Sequence, residues 1–148
     1  MEAVVFIGIQ GSGKSSFFKE RFFTTHLRIS LDLLKTRNRE KRLLEVCLET
    51  DQRFVIDNTN SVRAERAKYI EAAKAARFQV VGYYFQSEIE SCLRRNAGRP
   101  EAERVPDVAI YSTAKKLELP NWKEGFDKLY YVRLEDGRFV VEEWRDEV

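Results

Sequence analysis

The stretch that decides the fold is Ala3-Val4-Val5-Phe6-Ile7 followed by Gly8-Ile9-Gln10-Gly11-Ser12-Gly13-Lys14-Ser15-Ser16. Five consecutive apolar residues read as a strand buried on both faces, the kind found in the middle of a parallel sheet. The eight residues after it match G-x-x-x-x-G-K-[ST] at every fixed position, and such a match is meaningful when it follows a strand and opens a helix. Glycines at 8, 11 and 13 let the backbone turn inward so that successive N–H groups can surround an anion. Lys14 adds a full positive charge, Ser15 a hydroxyl able to ligate Mg²⁺, and the helix from Lys14 to Phe23 its N-terminal dipole. Gly8, Gln10, Gly11, Ser12, Gly13, Lys14, Ser15 and Ser16 are therefore the expected nucleoside triphosphate site, with ATP and Mg²⁺ as cofactors.

Outward from this loop, apolar runs at Leu27–Ser30, Phe54–Ile56, Gln79–Phe85 and Leu129–Leu134 alternate with helical stretches at Asn38–Thr50, Val62–Ala76 and Val108–Leu117. Strands alternating with helices predict a P-loop NTPase fold, a three-layer α/β/α arrangement around a mostly parallel sheet of about five strands. Asp136-Gly137 between apolar runs predicts a two-residue hairpin into a C-terminal antiparallel edge strand. Ser87-Glu88-Ile89-Glu90 has the form of a capping box. Residues 94–106 lose apolar periodicity and read as an arginine-rich mobile loop, a lid. One domain over residues 1–148 is expected.

Composition narrows the function classes. Lys and Arg number 26 against 24 Asp and Glu, a formal charge of +2, which excludes a global polycation and leaves room for a local basic patch. No run reaches the ~20 apolar residues of a membrane span, and the N-terminus lacks signal-peptide character. Cys47 and Cys92, far apart, read as buried thiols of a cytoplasmic protein. Oligomeric state is not legible.

Ligands of open parallel sheets sit beyond the carboxyl ends of the strands, so the polar clusters after the second and third strands face the glycine loop. Asp32 follows the second strand and can accept the proton of an incoming hydroxyl; alternatively it caps a helix starting at Leu33. Asp57-Asn58-Thr59-Asn60 follows the third strand. Asp57 suits the Mg²⁺ shell, Asn58 and Asn60 suit orienting Asp32 or the hydroxyl, and Asn60 or Ser61 suits capping the next helix. Arg95 and Arg99, among Arg94 and Arg104, are the candidates for stabilising charge on a transferred phosphoryl group. Lys35, closest to Asp32 in a cluster with Arg37, Arg39, Lys41 and Arg42, is the candidate for a substrate phosphate. No Asn-Lys-x-Asp segment marks a GTPase, so the short chain points to a kinase.

The combination of the loop, Asp32, Ile56-Asp57-Asn58-Thr59-Asn60, Arg95-Asn96, Arg99, Val105-Pro106, Leu119-Pro120 and Glu124-Gly125-Phe126 resembles the kinase domain of polynucleotide 5′-hydroxyl kinases over nearly the whole chain. The resemblance implies transfer of the ATP γ-phosphate to a nucleic acid 5′-OH, with Asp32 as general base, Asp57 near the metal and Arg99 on the lid. Lys35 falls where that family tends to carry an arginine for the acceptor's 3′-phosphate, and Ser30-Leu31-Asp32 stands where Asn-Arg-Asp is common. The phosphatase domain that often accompanies such kinases is not expected within these 148 residues. Other classes remain open: a kinase for a small-molecule, nucleoside or tRNA-borne hydroxyl, and a nucleotide-binding module without catalysis.

Overall fold

The computed structural model describes residues 1–146. Six strands form one sheet in the order β2-β3-β1-β4-β5-β6: β1 (Glu2–Ile7), β2 (Leu27–Ile29), β3 (Phe54–Ile56), β4 (Gln79–Phe85), β5 (Lys128–Glu135) and β6 (Arg138–Glu143). The first five run parallel and β6 pairs antiparallel with β5. Both turn residues of the last hairpin, Asp136 and Gly137, take positive φ (51° and 73°), as a type I′ turn requires. The helices are α1 (Lys14–Arg21), α2 (Leu31–Leu34), α3 (Arg37–Glu49), α4 (Arg63–Ala75), α5 (Ile89–Ala97) and α6 (Asp107–Lys116).

The unbroken apolar run of β1 is explained by burial on both sides. Ala3, Val5 and Ile7 face a core completed by Cys47 of α3 and Tyr69, Ile70 and Ala73 of α4. Val4 and Phe6 face the opposite core, where Phe17, Phe18 and Phe22 pack from α1 and its end. Phe6 and Phe85 meet edge to face at 4.9 Å between centroids, and Phe17 meets Phe85 at 5.3 Å. Each such pair contributes about 0.5–1.5 kcal/mol beyond area burial. That packing fixes α1, and with it Lys14 and Ser15 at its first turn.

Four local expectations change. Residues 94–97 are helical rather than loop, because Ile89, Cys92, Leu93 and Asn96 recur at helical spacing and face inward. Asn96, 3% exposed, then clamps the following segment through both hydrogen bonds of its amide to the Val105 backbone, at 2.7 and 3.1 Å. The Ser87–Glu90 capping box does not form. Ser87 Oγ is engaged elsewhere, accepting from the Ile9 N–H at 3.1 Å and donating to the Phe85 carbonyl.

Asp32 is no cap either. Ser30 occupies the N-cap and Asp32 lies inside the first turn of α2. Finally, neither Asn60 nor Ser61 caps α4, whose N-cap is Val62. The Arg63 N–H donates instead to the Glu118 carboxylate at 3.1 Å, from 55 residues away. Among the described residues, no helix is long and apolar enough to cross a membrane.

Candidate active site

The phosphate loop leaves β1 between β3 and β4, where neighbouring connections depart to opposite sides of the sheet. This is the crevice in which open α/β sheets bind ligands. Gly11 has φ +81°, and a Cβ there would lie 2.5 Å from the Cys92 carbonyl oxygen, so only glycine fits. Gly13, at φ +101°, forms the left-handed cap from which α1 starts. The Gly8 N–H donates to the Thr59 carbonyl at 3.0 Å, tying the loop to the turn after β3.

Lys14 Nζ donates to the carbonyls of Gly8 (2.9 Å) and Ile9 (3.0 Å). Its enclosure by the loop drives its pKa down to about 8, with Asp57, Cys92 and Asp32 opposing the fall and Arg99 adding to it. Lys14 therefore sits within the electrostatic reach of both candidate carboxylates and of the candidate lid arginine. An ammonium enclosed by the loop and held only by neutral carbonyls is a strong site for anionic oxygens. The Ser12 hydroxyl and Arg95 Nε are also buried without a hydrogen-bond partner among the described residues. These donors fit a triphosphate. Gln10 is occupied on one side, its amide donating to Thr113 Oγ1 at 3.1 Å, while Ser16 is exposed.

Asp57, 5% exposed, lies beside the loop, and the Ser15 hydroxyl donates to its Oδ2 at 3.2 Å. A serine oxygen and a carboxylate are the hard donors that Mg²⁺ takes in small number, with waters and phosphates completing its octahedron. The donor set fits Mg²⁺.

Asp32, Lys35, Arg37, Arg39, Lys41 and Arg42 are all exposed. Asp32 and the cluster after it thus lie on an open basic surface. Lys35 takes φ +72° at the end of α2, a backbone state that is unfavourable for a non-glycine residue and often marks a functional turn. Asn58 acts from below: its Oδ1 accepts the Leu31 N–H at 2.9 Å, fixing the start of the helix that carries Asp32. Its Nδ2 donates to Glu40 Oε2 at 2.9 Å.

Glu40, 3% exposed, also accepts from Tyr69 OH (2.8 Å) and Arg37 Nη1 (3.1 Å). Burial, and next the bond to Glu40, raise the Tyr69 pKa, so the phenol stays a donor. Asn58 orients the Asp32 segment, and its amide is taken up within the protein. Asn60 does not meet a substrate. It is 1% exposed, and its amide donates to the Phe6 carbonyl at 2.7 Å, where it locks the turn.

Arg99 follows α5, held by its N–H to the Asn96 carbonyl (3.1 Å), and its own carbonyl accepts Arg104 Nε at 2.7 Å. Arg94 is exposed and bonds Ser91.

Four side chains escaped the sequence reading. Glu40 and Tyr69 carried no signal beyond their places on helices. Arg66, fully buried, forms a two-point ion pair with Glu124 (2.8 and 3.0 Å) and donates to the carbonyls of Asn60 and Glu118. Arg28 reaches Asp57 and Ser15 from β2.

Over 129 residues, or 84% of its length, the chain is 28% identical to a bifunctional polynucleotide phosphatase/kinase of Schizosaccharomyces pombe. Over 135 residues, 86% of its length, it is 29% identical to a putative bifunctional polynucleotide phosphatase/kinase of Acanthamoeba polyphaga mimivirus. The chain spans 32% of each of these relatives.

Two solved structures share the fold. A gluconokinase from Sinorhizobium meliloti matches with TM-score 0.64 and 18% identity, covering 89% of this chain and 82% of that one. Chaetomium thermophilum Kti12, solved with ADP-AlF3, matches with TM-score 0.67 and 16% identity, covering 90% of both. Residues 4–120 match the AAA_33 family, described as an AAA domain. With its glycine loop at the centre of a parallel sheet, the chain belongs to the AAA_33 family of AAA domains and has the fold of a P-loop kinase.

Proposed function

We propose that this domain transfers the γ-phosphate of ATP to the 5′-hydroxyl of a polynucleotide. The observation that carries the reading is the open basic surface on which Asp32 stands, within the field of Lys14. A kinase for a small alcohol encloses its acceptor in a pocket, whereas a nucleic acid end needs an open approach lined by cations. The polynucleotide kinases among the relatives support the same acceptor class.

In this mechanism the loop amides and Lys14 hold the β and γ oxygens. Ser15 and Asp57 would hold Mg²⁺, which would supply neutralisation of the charge developing between those phosphates. Asp32 accepts the proton of the 5′-hydroxyl as its oxygen attacks phosphorus, and the bond from phosphorus to the bridging oxygen breaks to leave ADP. Asn58 keeps α2, and so Asp32, in register. Arg95, in the last turn of α5, and Arg99, in the segment after it, neutralise the equatorial oxygens of the transferring group. Lys35 meets a phosphate of the acceptor strand, with one point charge where an arginine would offer a fork. Residues 1–148 act as one catalytic unit.

The test is transfer of label from γ-labelled ATP to DNA and RNA oligonucleotides with 5′-hydroxyl ends, against gluconate, nucleosides and tRNA. Labelled oligonucleotide ends, lost in Asp32→Ala with ATP binding retained, are expected. Label confined to a small acceptor would replace the polynucleotide reading, and ATP binding without transfer to any acceptor would reject catalysis.

A further inference from the structure

Arg28 lies on β2, outside the glycine loop, the Asp57 turn and the arginine helix. Its guanidinium nevertheless enters the site. Nε donates to Asp57 Oδ2 at 2.8 Å, and Nη2 donates to Ser15 Oγ at 3.0 Å. Ser15 closes the triangle by donating to the same Oδ2 at 3.2 Å. Arg28 is therefore the cation that bridges the two oxygen donors suited to Mg²⁺.

The two members of this ion pair differ in their access to water. The Asp57 side chain is 2% exposed and the Arg28 side chain 29%. A carboxylate so buried is costly to leave without a cationic partner. The partner comes from an edge strand, β2, through a long side chain with a route to solvent. Magnesium binds oxygen at about 2.0–2.1 Å in a strict octahedron. The guanidinium N–H uses one of the two lone pairs of Ser15 Oγ, so a metal on that oxygen meets a like charge beside it. The two cations repel, and they compete for the same pair of groups.

We infer that Arg28 is the resident counter-ion of the metal pole, a positioning residue that holds Asp57 and Ser15 and yields them to Mg²⁺ as the nucleotide enters. It thereby sets the Mg²⁺ concentration at which the loop grips a nucleotide. This inference rests on the assignment of Mg²⁺ to Ser15 and Asp57, and it is independent of the acceptor.

The experiment titrates Mg²⁺ into the protein with a fluorescent ADP analogue, for the wild type, Arg28→Gln and Arg28→Lys. The melting temperature of each nucleotide-free protein is measured alongside, and circular dichroism checks folding. With the competing charge gone, Arg28→Gln reaches half-maximal nucleotide binding at roughly tenfold lower Mg²⁺. It also melts lower than wild type without ligand, because Asp57 has lost its partner, and Mg²⁺ with ADP closes that gap. Arg28→Lys, a single point charge unable to bridge two oxygens, falls between.

An unshifted or raised Mg²⁺ midpoint in Arg28→Gln overturns the inference. Should that variant fail to fold, the same result in Arg28→Lys overturns it. A Mg²⁺-dependent wild type with unshifted variants defeats the role of Arg28 alone. A wild type whose nucleotide binding ignores Mg²⁺ defeats the metal assignment and the inference together.

Discussion

Lys14 makes the phosphate loop unstable by itself, and the size of that effect follows from its surroundings. The ordinary lysine pKa of 10.5 falls to about 8 in the loop. At about 1.36 kcal/mol per pH unit, the penalty for the charged form reaches a ceiling of about 3 kcal/mol. The side chain retains partial exposure, and water reaching it screens the penalty to about 1.5–3 kcal/mol. The sign is opposite to that of a lysine gaining a partner. Below pH 8 the ammonium is charged in folded and unfolded chains, and the folded state bears the full penalty. Between about 8 and 10.5 the unfolded chain binds more protons, so stability rises with pH. Above 10.5 the penalty has gone.

The perturbation is Lys14→Met, and the assay is urea denaturation of both proteins without nucleotide from pH 7 to 10. Subtracting the variant removes every other titrating group. The stability of wild type relative to Lys14→Met should rise by about 1.5–3 kcal/mol across that range, whatever the offset between the two proteins. Bound triphosphate reverses the preference, so nucleotide binding near pH 8–9 should take up protons, measured calorimetrically in buffers of different ionisation enthalpy. A difference curve that is flat or falls with pH would refute the buried-charge argument.

Other substitutions probe the supports of the site. Arg66→Met strands the Glu124 carboxylate and should lower stability by about 3–5 kcal/mol; a loss under about 1 kcal/mol in urea would contradict a load carried by this pair. Gly11→Ala drives a Cβ against the Cys92 carbonyl at positive φ, and nucleotide affinity should drop at least about tenfold, the effect of a 1.4 kcal/mol penalty within the strain expected there. Tyr69→Phe removes one of the donors to buried Glu40 and should reduce stability by about 1–3 kcal/mol. Because the network acts through Asn58 on Asp32, kcat should fall with little change in KM for ATP. Equal changes in both would point to a general loosening.

The extent to which this protein was legible before folding follows from the range of each interaction. Strand β1, the loop and α1 could be read because their instructions are local: an apolar run, positive-φ glycines, and a lysine and serine at fixed offsets. The same holds for the Asp136-Gly137 turn and for the exposed basic residues after Asp32. The Ser87 capping box and the caps at Asn60 and Ser61 were misread for a common reason. Short polar groups take whichever partner the fold presents: Ser87 Oγ accepts the Ile9 N–H, the Asn60 amide donates to the Phe6 carbonyl, and the Arg63 N–H at the start of α4 finds the Glu118 carboxylate.

Position in space was decided elsewhere. The arginines at 94 and 95 are helical because Cys92 and Asn96 find a surface to bury against, and Asn96 closes the segment that follows by gripping Val105. Glu40 and Arg28 illustrate the limit best. Each bears a charge with a partner 29 residues away along the chain, Tyr69 for Glu40 and Asp57 for Arg28. Local pattern reports which groups are able to ionise or donate. Whether a charge is buried, and which partner then meets it, is set only when distant strands and helices come together, because desolvation is a property of the packed interior and not of neighbouring residues.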